Sequence, residues 1–226
     1  MNVRTLVLGG CLLLVLSPLA SASVVIPLTL NGVDSGWDAV VTNESYTDVV
    51  IDAVGSDYVL IQIGKSFLSP SVDGVFAPHT ILFQQRLGDG QAVSSIRIAD
   101  EIIINRTGET WTDYHWQIVG CSAAFNISQT ETSGFSTDPF TDQSWTAAGG
   151  TWDSNHADAL DVSGGTVPTR SVYQPGMTAG TLFIDVDLSG AAGDFTLKQV
   201  PTPEPATMAI LTAGGVLMGV RRNRRA

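Results

Sequence analysis

The chain has 226 residues, with 22 acidic and 11 basic side chains and a formal net charge of −11 at pH 7. Residues 23–202 alone carry 21 acidic and six basic side chains, a net charge of −15, because the other basic residues lie near the two ends. Binding to nucleic-acid phosphates depends on clustered Lys and Arg, so this balance excludes a nucleic-acid-binding body. An acidic surface of this kind favours solubility and can attract divalent cations.

Residues 1–22 have the three parts of a secretory signal peptide. Arg4 supplies a positive start, residues 6–16 are apolar, and Ala20-Ser21-Ala22 is the small-residue pattern that precedes a cleavage site. We therefore predict export by the Sec machinery and cleavage before Ser23. The alternative is a lipoprotein box ending at Cys11, but it would leave an exposed aliphatic run in the mature chain.

The body of the chain, residues 23–200, is long enough for one domain with its own core. In residues 181–188, Leu182, Ile184 and Val186 alternate with Asp185 and Asp187, which indicates a strand with one buried and one wet face. We therefore predict an all-β fold, an antiparallel β-sandwich of jelly-roll or Greek-key type. Similar runs of β-branched and aromatic residues, bounded by turn residues, lie at 46–54, 57–63, 80–86, 94–104, 112–119 and 181–188.

The most aromatic stretch of the body runs from Trp111 to Trp116. On a strand, Tyr114 and Trp116 would face the core, while Asp113 and His115 would share the wet face. Such a pair could supply two metal ligands or an acid–base pair, although neighbouring polar residues on a wet strand face are the commoner case. Cys121 is the one cysteine left after signal cleavage, so no internal disulfide is expected. Its apolar neighbours predict a buried, unreactive thiol.

Residues 128–159 contain no Val, Ile, Leu or Met, but they include Phe135, Phe140, Trp145 and Trp152. This composition predicts a long surface excursion pinned by four aromatic anchors. One alternative is a ligand-binding loop in which Trp145 and Trp152 stack on sugar rings, since long ordered loops are often functional. The other is a strand that the residue pattern does not reveal.

An acidic cluster follows in the sequence and resembles the start of a calcium loop. An EF-hand would need Gly at its sixth position and Glu at its twelfth, and the chain has Asp158 and Gly164 there, so that motif is excluded. An irregular Ca²⁺ site is kept as an interpretation beside the default, a solvated acidic loop, and no other cofactor is predicted. The four candidate ligands are Asp153, Asn155, Asp158 and Asp161.

No hydrolase, zinc-protease, phosphate-loop or dinucleotide motif occurs in the sequence, so we predict that the protein is not an enzyme. Asp185 and Asp187 share one strand face and could in principle flank a glycosidic bond. Chance pairs of this kind are expected among so many acidic residues.

The C-terminal tail has three parts in a fixed order. Pro201-Thr202-Pro203-Glu204-Pro205 disfavours helix and favours extended backbone, and residues 206–220 carry no charge. As a helix this apolar segment would be roughly 22 Å long, shorter than the roughly 30 Å of membrane hydrocarbon. It therefore predicts a weak stop-transfer anchor with a cytoplasmic arginine cluster. The cluster consists of Arg221, Arg222, Arg224 and Arg225.

The tail resembles a PEP-CTERM sorting signal, through Pro203-Glu204-Pro205, the apolar segment with its glycines and the arginine cluster. Thr202 stands where Val is commoner in that family. The resemblance implies a bacterium that makes exopolysaccharide, in which an exosortase of the inner membrane cuts near the tripeptide and passes the protein to the surface. On that basis we expect the mature chain to end near residues 202–204.

These patterns together predict a signal peptide at 1–22, a β-sandwich domain at 23–200 and a sorting signal at 201–226. The predicted function is that of an exported, non-catalytic protein, anchored in the inner membrane in transit and then located at the cell surface or in the extracellular matrix. Its expected partners are the exosortase and the extracellular polysaccharide. The alternative function is that of a carbohydrate-binding module, and a glycan-processing enzyme is a weaker one.

Overall fold

The computed structural model describes residues 23–42, 46–87, 90–189 and 193–204. The predicted signal peptide, the apolar segment at 206–220 and the arginine cluster lie outside these residues. The described part is mostly strand, with one short helix. In chain order the elements are β1 (Val24–Leu30), β2 (Val33–Val41), β3 (Thr47–Val54), β4 (Tyr58–Phe67), β5 (His79–Gln85), β6 (Ser95–Asn105), β7 (Trp111–Val119), β8 (Ala123–Asn126), α1 (Ile127–Ser133), β9 (Asp142–Ala147), β10 (His156–Ser163), β11 (Val172–Tyr173), β12 (Leu182–Val186) and β13 (Phe195–Pro203).

The strands form one continuous sheet in the order β1-β2-β5-β13-β7-β10-β8-β12-β6-β4-β3, with β11 paired to β6 and β9 paired to β10. All pairings are antiparallel except that of β4 with β6, which is parallel. The two terminal strands of this order, β1 and β3, contact each other. The sheet is therefore nearly closed on itself, and its inner face encloses the core.

The prediction of an all-β body is confirmed, and its architecture is corrected in two respects. One sheet curls around the core where two stacked sheets were expected, and the parallel β4–β6 pair departs from a wholly antiparallel arrangement. The predicted strands at 46–54, 57–63, 80–86, 94–104, 112–119 and 181–188 correspond to β3, β4, β5, β6, β7 and β12. The sequence patterns found these six strands, but the order of their pairing depends on contacts between distant residues.

The core is built from alternating strand residues and is rich in aromatic rings. On β12, Leu182, Ile184 and Val186 are buried while Asp185 is not, as the alternation predicted. Tyr114 and Trp116 on β7 are fully buried, with ring centroids 4.7 Å apart in an edge-to-face arrangement. Burial of one such side chain contributes about 1.5–3 kcal/mol, so this aromatic interior dominates the stability of the fold.

The expectation that residues 128–159 lack regular structure is wrong. Asn126 caps α1 by accepting a hydrogen bond from the Gln129 N–H at 2.9 Å, and Gly134 ends the helix at φ 74°, a left-handed conformation suited to glycine. Strand β9 follows, and the beginning of β10 completes the segment. Phe135 and Phe140 are buried, so the predicted aromatic anchoring does occur.

The prediction that Cys121 is buried is also wrong, because its side chain is exposed. Gly120, Cys121 and Ser122 form the turn that joins β7 to β8, and Gly120 adopts φ 135°. The apolar neighbours that suggested burial belong to the two strands on either side of this turn.

His79, the first residue of β5, lies in a site that accommodates a neutral imidazole. Its Nε2 donates to the Ser66 carbonyl oxygen and its Nδ1 accepts from the Thr47 hydroxyl, both at 3.1 Å. The Phe67 ring packs against the His79 ring in an edge-to-face arrangement, with a centroid distance of 4.4 Å. Burial, with a smaller contribution from the nearby charge of Lys65, lowers the pKa of His79 to about 4.

This lowered pKa predicts that the protein loses stability in mild acid. The unfolded chain binds a proton at His79 below about pH 6.5 and the folded chain only near pH 4, so the free energy of unfolding falls as the pH drops through that window, by up to roughly 3 kcal/mol. Urea unfolding at pH 7 and pH 4.5 measures the loss. His79→Gln keeps one donor and one acceptor but does not titrate, so its loss should be smaller. Equal losses in both proteins would contradict the assignment.

Candidate functional site

The sorting motif begins inside the sheet. Strand β13 ends at Pro203, the first residue of the Pro-Glu-Pro motif, and the Pro203 side chain is buried. The next residue, Glu204, is exposed, but its backbone N–H still donates to the Thr110 carbonyl oxygen at 2.9 Å. Pro205 lies outside the described residues. The segment predicted as an extended linker from residue 201 is extended, and it forms the end of a strand.

The two prolines of β13 lie where the strand has a single neighbour. β13 pairs with β5 only from Phe195 to Gln199, whereas its pairing with β7 continues to Pro203. Because proline has no N–H to donate, it is tolerated in strands where one side is free of a partner. The register of pairing between β13 and β7 shifts between Thr202 and Pro203, at the end of the strand.

His115 on β7 contacts side chains of both neighbouring strands, β13 and β10. Its Nε2 lies 2.8 Å from Thr202 Oγ1, and its Nδ1 lies 2.6 Å from Asp161 Oδ1 on β10. With the Nδ1 proton donated to Asp161, Nε2 accepts the hydroxyl proton of Thr202. This is also the order of hydrogen bonds that orients a hydroxyl nucleophile in acyl-transfer enzymes. Here it lies on the outer face of three paired strands and holds Thr202 beside the motif.

The sequence placed His115 correctly on the wet face of a strand but did not find its partners. The sequence suggested Asp113 as the partner of His115, whereas in the structure His115 contacts Asp161 and Thr202. Asp161 was predicted as a calcium ligand, and Thr202 only as a residue preceding the motif. The three residues lie on β10, β7 and β13, and only the strand order reveals that they meet.

The two predicted sugar-stacking tryptophans have different surroundings. Trp145 is half-buried and packs against the core, with its ring 6.1 Å from that of Phe125 and its Nε1 donating to Glu131 Oε1 at 3.3 Å. Trp152 is half-buried beside His156, with ring centroids 4.7 Å apart, and its Nε1 donates to the Cys121 carbonyl oxygen at 3.3 Å. A glycan role for either residue remains a prediction, and Trp152 has less contact with the core.

Three of the four predicted calcium ligands, Asp153, Asp158 and Asp161, have carboxylates that accept hydrogen bonds from different groups. Asp153 Oδ1 accepts from His156 Nδ1 at 2.6 Å and from the Asn155 N–H at 2.9 Å. These hydrogen bonds lower the pKa of the Asp153 carboxyl. Asp158 accepts from the Gly149 N–H at 3.2 Å, and Asp161 is paired with His115. Within the described residues no three His, Cys, Asp or Glu side chains form a group suited to a metal ion. Calcium binding stays a prediction.

Asp185 and Asp187, considered above as an acid pair, also have separate partners. Asp185 Oδ2 accepts from Asn126 Nδ2 at 2.7 Å and lies 3.2 Å from His156 Nε2. Asp187 Oδ1 accepts from the hydroxyl and the N–H of Ser189, which lowers the pKa of its carboxyl. These contacts give each carboxylate a local structural role.

Comparison with known proteins identifies the tail. Residues 201–225 match the protein family described as the PEP-CTERM protein-sorting motif, which indicates an exosortase substrate and confirms the resemblance inferred from the tail. No curated protein and no solved structure matches the chain. No helix among residues 23–42, 46–87, 90–189 and 193–204 is long and apolar enough to cross a membrane.

Proposed function

We propose that this chain is an exported surface protein whose folded body is delivered by its C-terminal sorting motif and separated from its membrane anchor by an exosortase. The match at residues 201–225 carries the proposal. The signal-peptide pattern at residues 1–22 and the net charge of −15 on the body support export through the Sec machinery and solubility outside the cell.

The pairing of β13 supports a particular position for the cut. A peptidase requires an extended segment that is free to enter its active site, and hydrogen-bonded strands inside a sheet open rarely. The chain is paired with β7 through Pro203, and the Glu204 N–H is bonded to Thr110. These contacts favour cleavage after Glu204 over cleavage at Thr202.

The C-terminal residue of the mature protein tests this proposal. Mass spectrometry of protein isolated from the native host is expected to show a C-terminus at Glu204 or a few residues beyond, and no arginine cluster. In cells without the exosortase, the chain is expected to retain Arg225. An intact tail in normal cells would overturn the processing, and a mature chain ending before Glu204 would overturn the position of the cut.

Thr202→Val provides a matched control for that experiment. Valine keeps the shape of threonine and removes the hydroxyl that contacts His115 at 2.8 Å. If the cut lies beyond Glu204, this variant should have the same mature C-terminus as the wild type. A terminus shifted towards residue 200 would show that the exosortase reaches into the end of β13.

After processing, we place the body at the cell surface or in the extracellular polysaccharide, as a non-catalytic component. The hydrogen bonds of Asp185 with Asn126, of Asp187 with Ser189 and of Asp153 with His156, which also lies beside Asp185, support a non-catalytic role. Carbohydrate binding is the alternative, and the half-buried ring of Trp152 is the feature that supports it.

A further inference from the structure

Three polar side chains meet inside the aromatic core. They are Lys65 on β4, Glu101 on β6 and Gln199 on β13. The side chains of Lys65 and Glu101 are 1% and 0% exposed. Transfer of an ion pair from water into such an interior carries a desolvation penalty of several kcal/mol per ion, so this arrangement requires an explanation.

Each of these residues occupies a position that the strand pattern assigns to the core. On β4 the inward residues are Val59, Ile61, Ile63, Lys65 and Phe67, so a lysine takes the place of an aliphatic side chain. Gln199 likewise follows the buried Leu197 by two residues on β13. β4 and β13 are not neighbours in the sheet, and their polar residues therefore meet across the interior.

The amine of Lys65 lies against the carboxamide of Gln199. Lys65 Nζ contacts Gln199 Oε1, which is bonded to Cδ at only about 1.2 Å. The amine therefore lies beside the carboxamide group whose carbon it would attack. Tyr114 donates its hydroxyl proton to the same Oε1 at 2.9 Å, which is where negative charge would develop during attack on that carbon.

Glu101 contacts both nitrogens that would exchange at this carbon. Its Oε1 lies 3.4 Å from Lys65 Nζ and accepts from Gln199 Nε2 at 2.9 Å. Its Oε2 is held by the Trp116 indole N–H at 3.1 Å. A carboxylate in this position can take a proton from the attacking amine and give it to the leaving amide nitrogen.

Burial also favours the reactive form of the amine. Loss of water lowers the pKa of Lys65 to about 8, against the opposing effect of the Glu101 charge. A neutral amine is the nucleophile in attack on a carbonyl, and desolvated lysines are activated in this way. The closed apolar surroundings also keep water from competing as a nucleophile.

We propose that Lys65 and Gln199 form an intramolecular isopeptide bond. Lys65 Nζ adds to Gln199 Cδ, the Nζ–Cδ bond forms, the Cδ–Nε2 bond breaks, and ammonia leaves. Glu101 accepts the proton released from Nζ and delivers it to Nε2, so a primary amine and a carboxamide become a secondary amide and ammonia with no change of oxidation state. The new amide joins β4 to β13 across the core.

Mass spectrometry of the purified, folded full chain tests the proposal. The intact mass is expected to be lower than the mass calculated from the sequence by one ammonia, about 17 Da. The same digest identifies the two termini, so that the calculated mass refers to the chain actually present. Trypsin is expected not to cleave after Lys65, and the digest should contain a branched peptide in which Lys65 is joined to the peptide that begins at Gln199. A full sequence mass with a peptide ending at Lys65, from protein that unfolds cooperatively, would overturn the proposal.

Three variants assign the roles of the residues. Lys65→Arg keeps a positive charge but removes the primary amine, and Glu101→Gln keeps the shape of the side chain but removes the proton carrier; both are expected to have the full mass. Lys198→Arg is the control, because Lys198 precedes Gln199 on the outer face of β13 and its variant should still lose the ammonia. A full-rate linkage in Glu101→Gln would overturn the role given to Glu101, and an ammonia loss in Lys65→Arg would overturn the site.

Discussion

A chain that ends at Asp194 is expected not to fold, whereas a chain that ends at Glu204 is expected to be as stable as the longer protein. β13 lies between β5 and β7, so its removal leaves each of them without a partner on one side and breaks the sheet in the middle. It also removes the buried Phe195 and Leu197, each contributing about 1.5–3 kcal/mol, and the ladder hydrogen bonds on both sides. The sum is comparable to the whole stability of a typical domain, about 5–15 kcal/mol.

Circular dichroism and urea unfolding measure this difference directly. The chain ending at Asp194 should show no cooperative transition, while the chain ending at Glu204 should show one with the midpoint of the full protein. A chain ending at Val200 provides an intermediate, because it retains the pairing with β5 but loses the contacts of residues 201–203, and it should be less stable by about 2 kcal/mol. A folded chain ending at Asp194 would contradict the placement of β13.

Relative to the folded chain before the proposed linkage forms, Glu101→Leu is expected to lower the free energy of unfolding by about 3–5 kcal/mol, because it leaves the charge of Lys65 buried without a partner. Lys65→Met in the same chain removes that charge, so the double variant should be more stable than Glu101→Leu alone. Neither protein can form the proposed linkage to Gln199. The comparison between them therefore isolates the cost of the buried charge.

Urea unfolding of Glu101→Leu and of the double variant at pH 7 provides the measurement. The control is Asp113→Leu, which also replaces a strand carboxylate by leucine, but on the outer face of β7. The expected change in the free energy of unfolding there is within about 0.5 kcal/mol. If the double variant were no more stable than Glu101→Leu, the buried lysine would not be charged in the folded protein, and the energetic argument would be wrong.

Local sequence patterns predicted much of the fold, but not how its parts meet. Alternation located β12, and the aromatic run located β7. Neither pattern located β13, because Pro201 and Pro203 suggested a linker. Prolines are tolerated at these two positions because β5 does not pair with this end of the strand. The helix α1 was missed because seven residues are too few to show a 3.6-residue period.

The same division holds for the sites. The sorting motif is contiguous in sequence, so its residues could be identified without the fold. The alternation of β4 already directs Lys65 inwards, and a lysine at a core position is a signal that sequence reasoning could have used. Its partner Gln199 is 134 residues away, and the contact of His115 with Thr202 spans 87 residues. No local pattern encodes such separations.

The position of β13 determines how the body resists being pulled away from its anchor. While the tail is attached, any drag on the body loads the chain at Pro203. The tension falls first on residues 200–203, which are paired with β7 alone, and then on the part of β13 that has neighbours on both sides. An edge strand such as β1 would peel from its single neighbour one hydrogen bond at a time. A tether attached to β13 must break the pairing of residues 200–203 with β7 before it loads the segment that β5 and β7 hold from both sides, so this end of the protein resists pulling more strongly than an edge strand would.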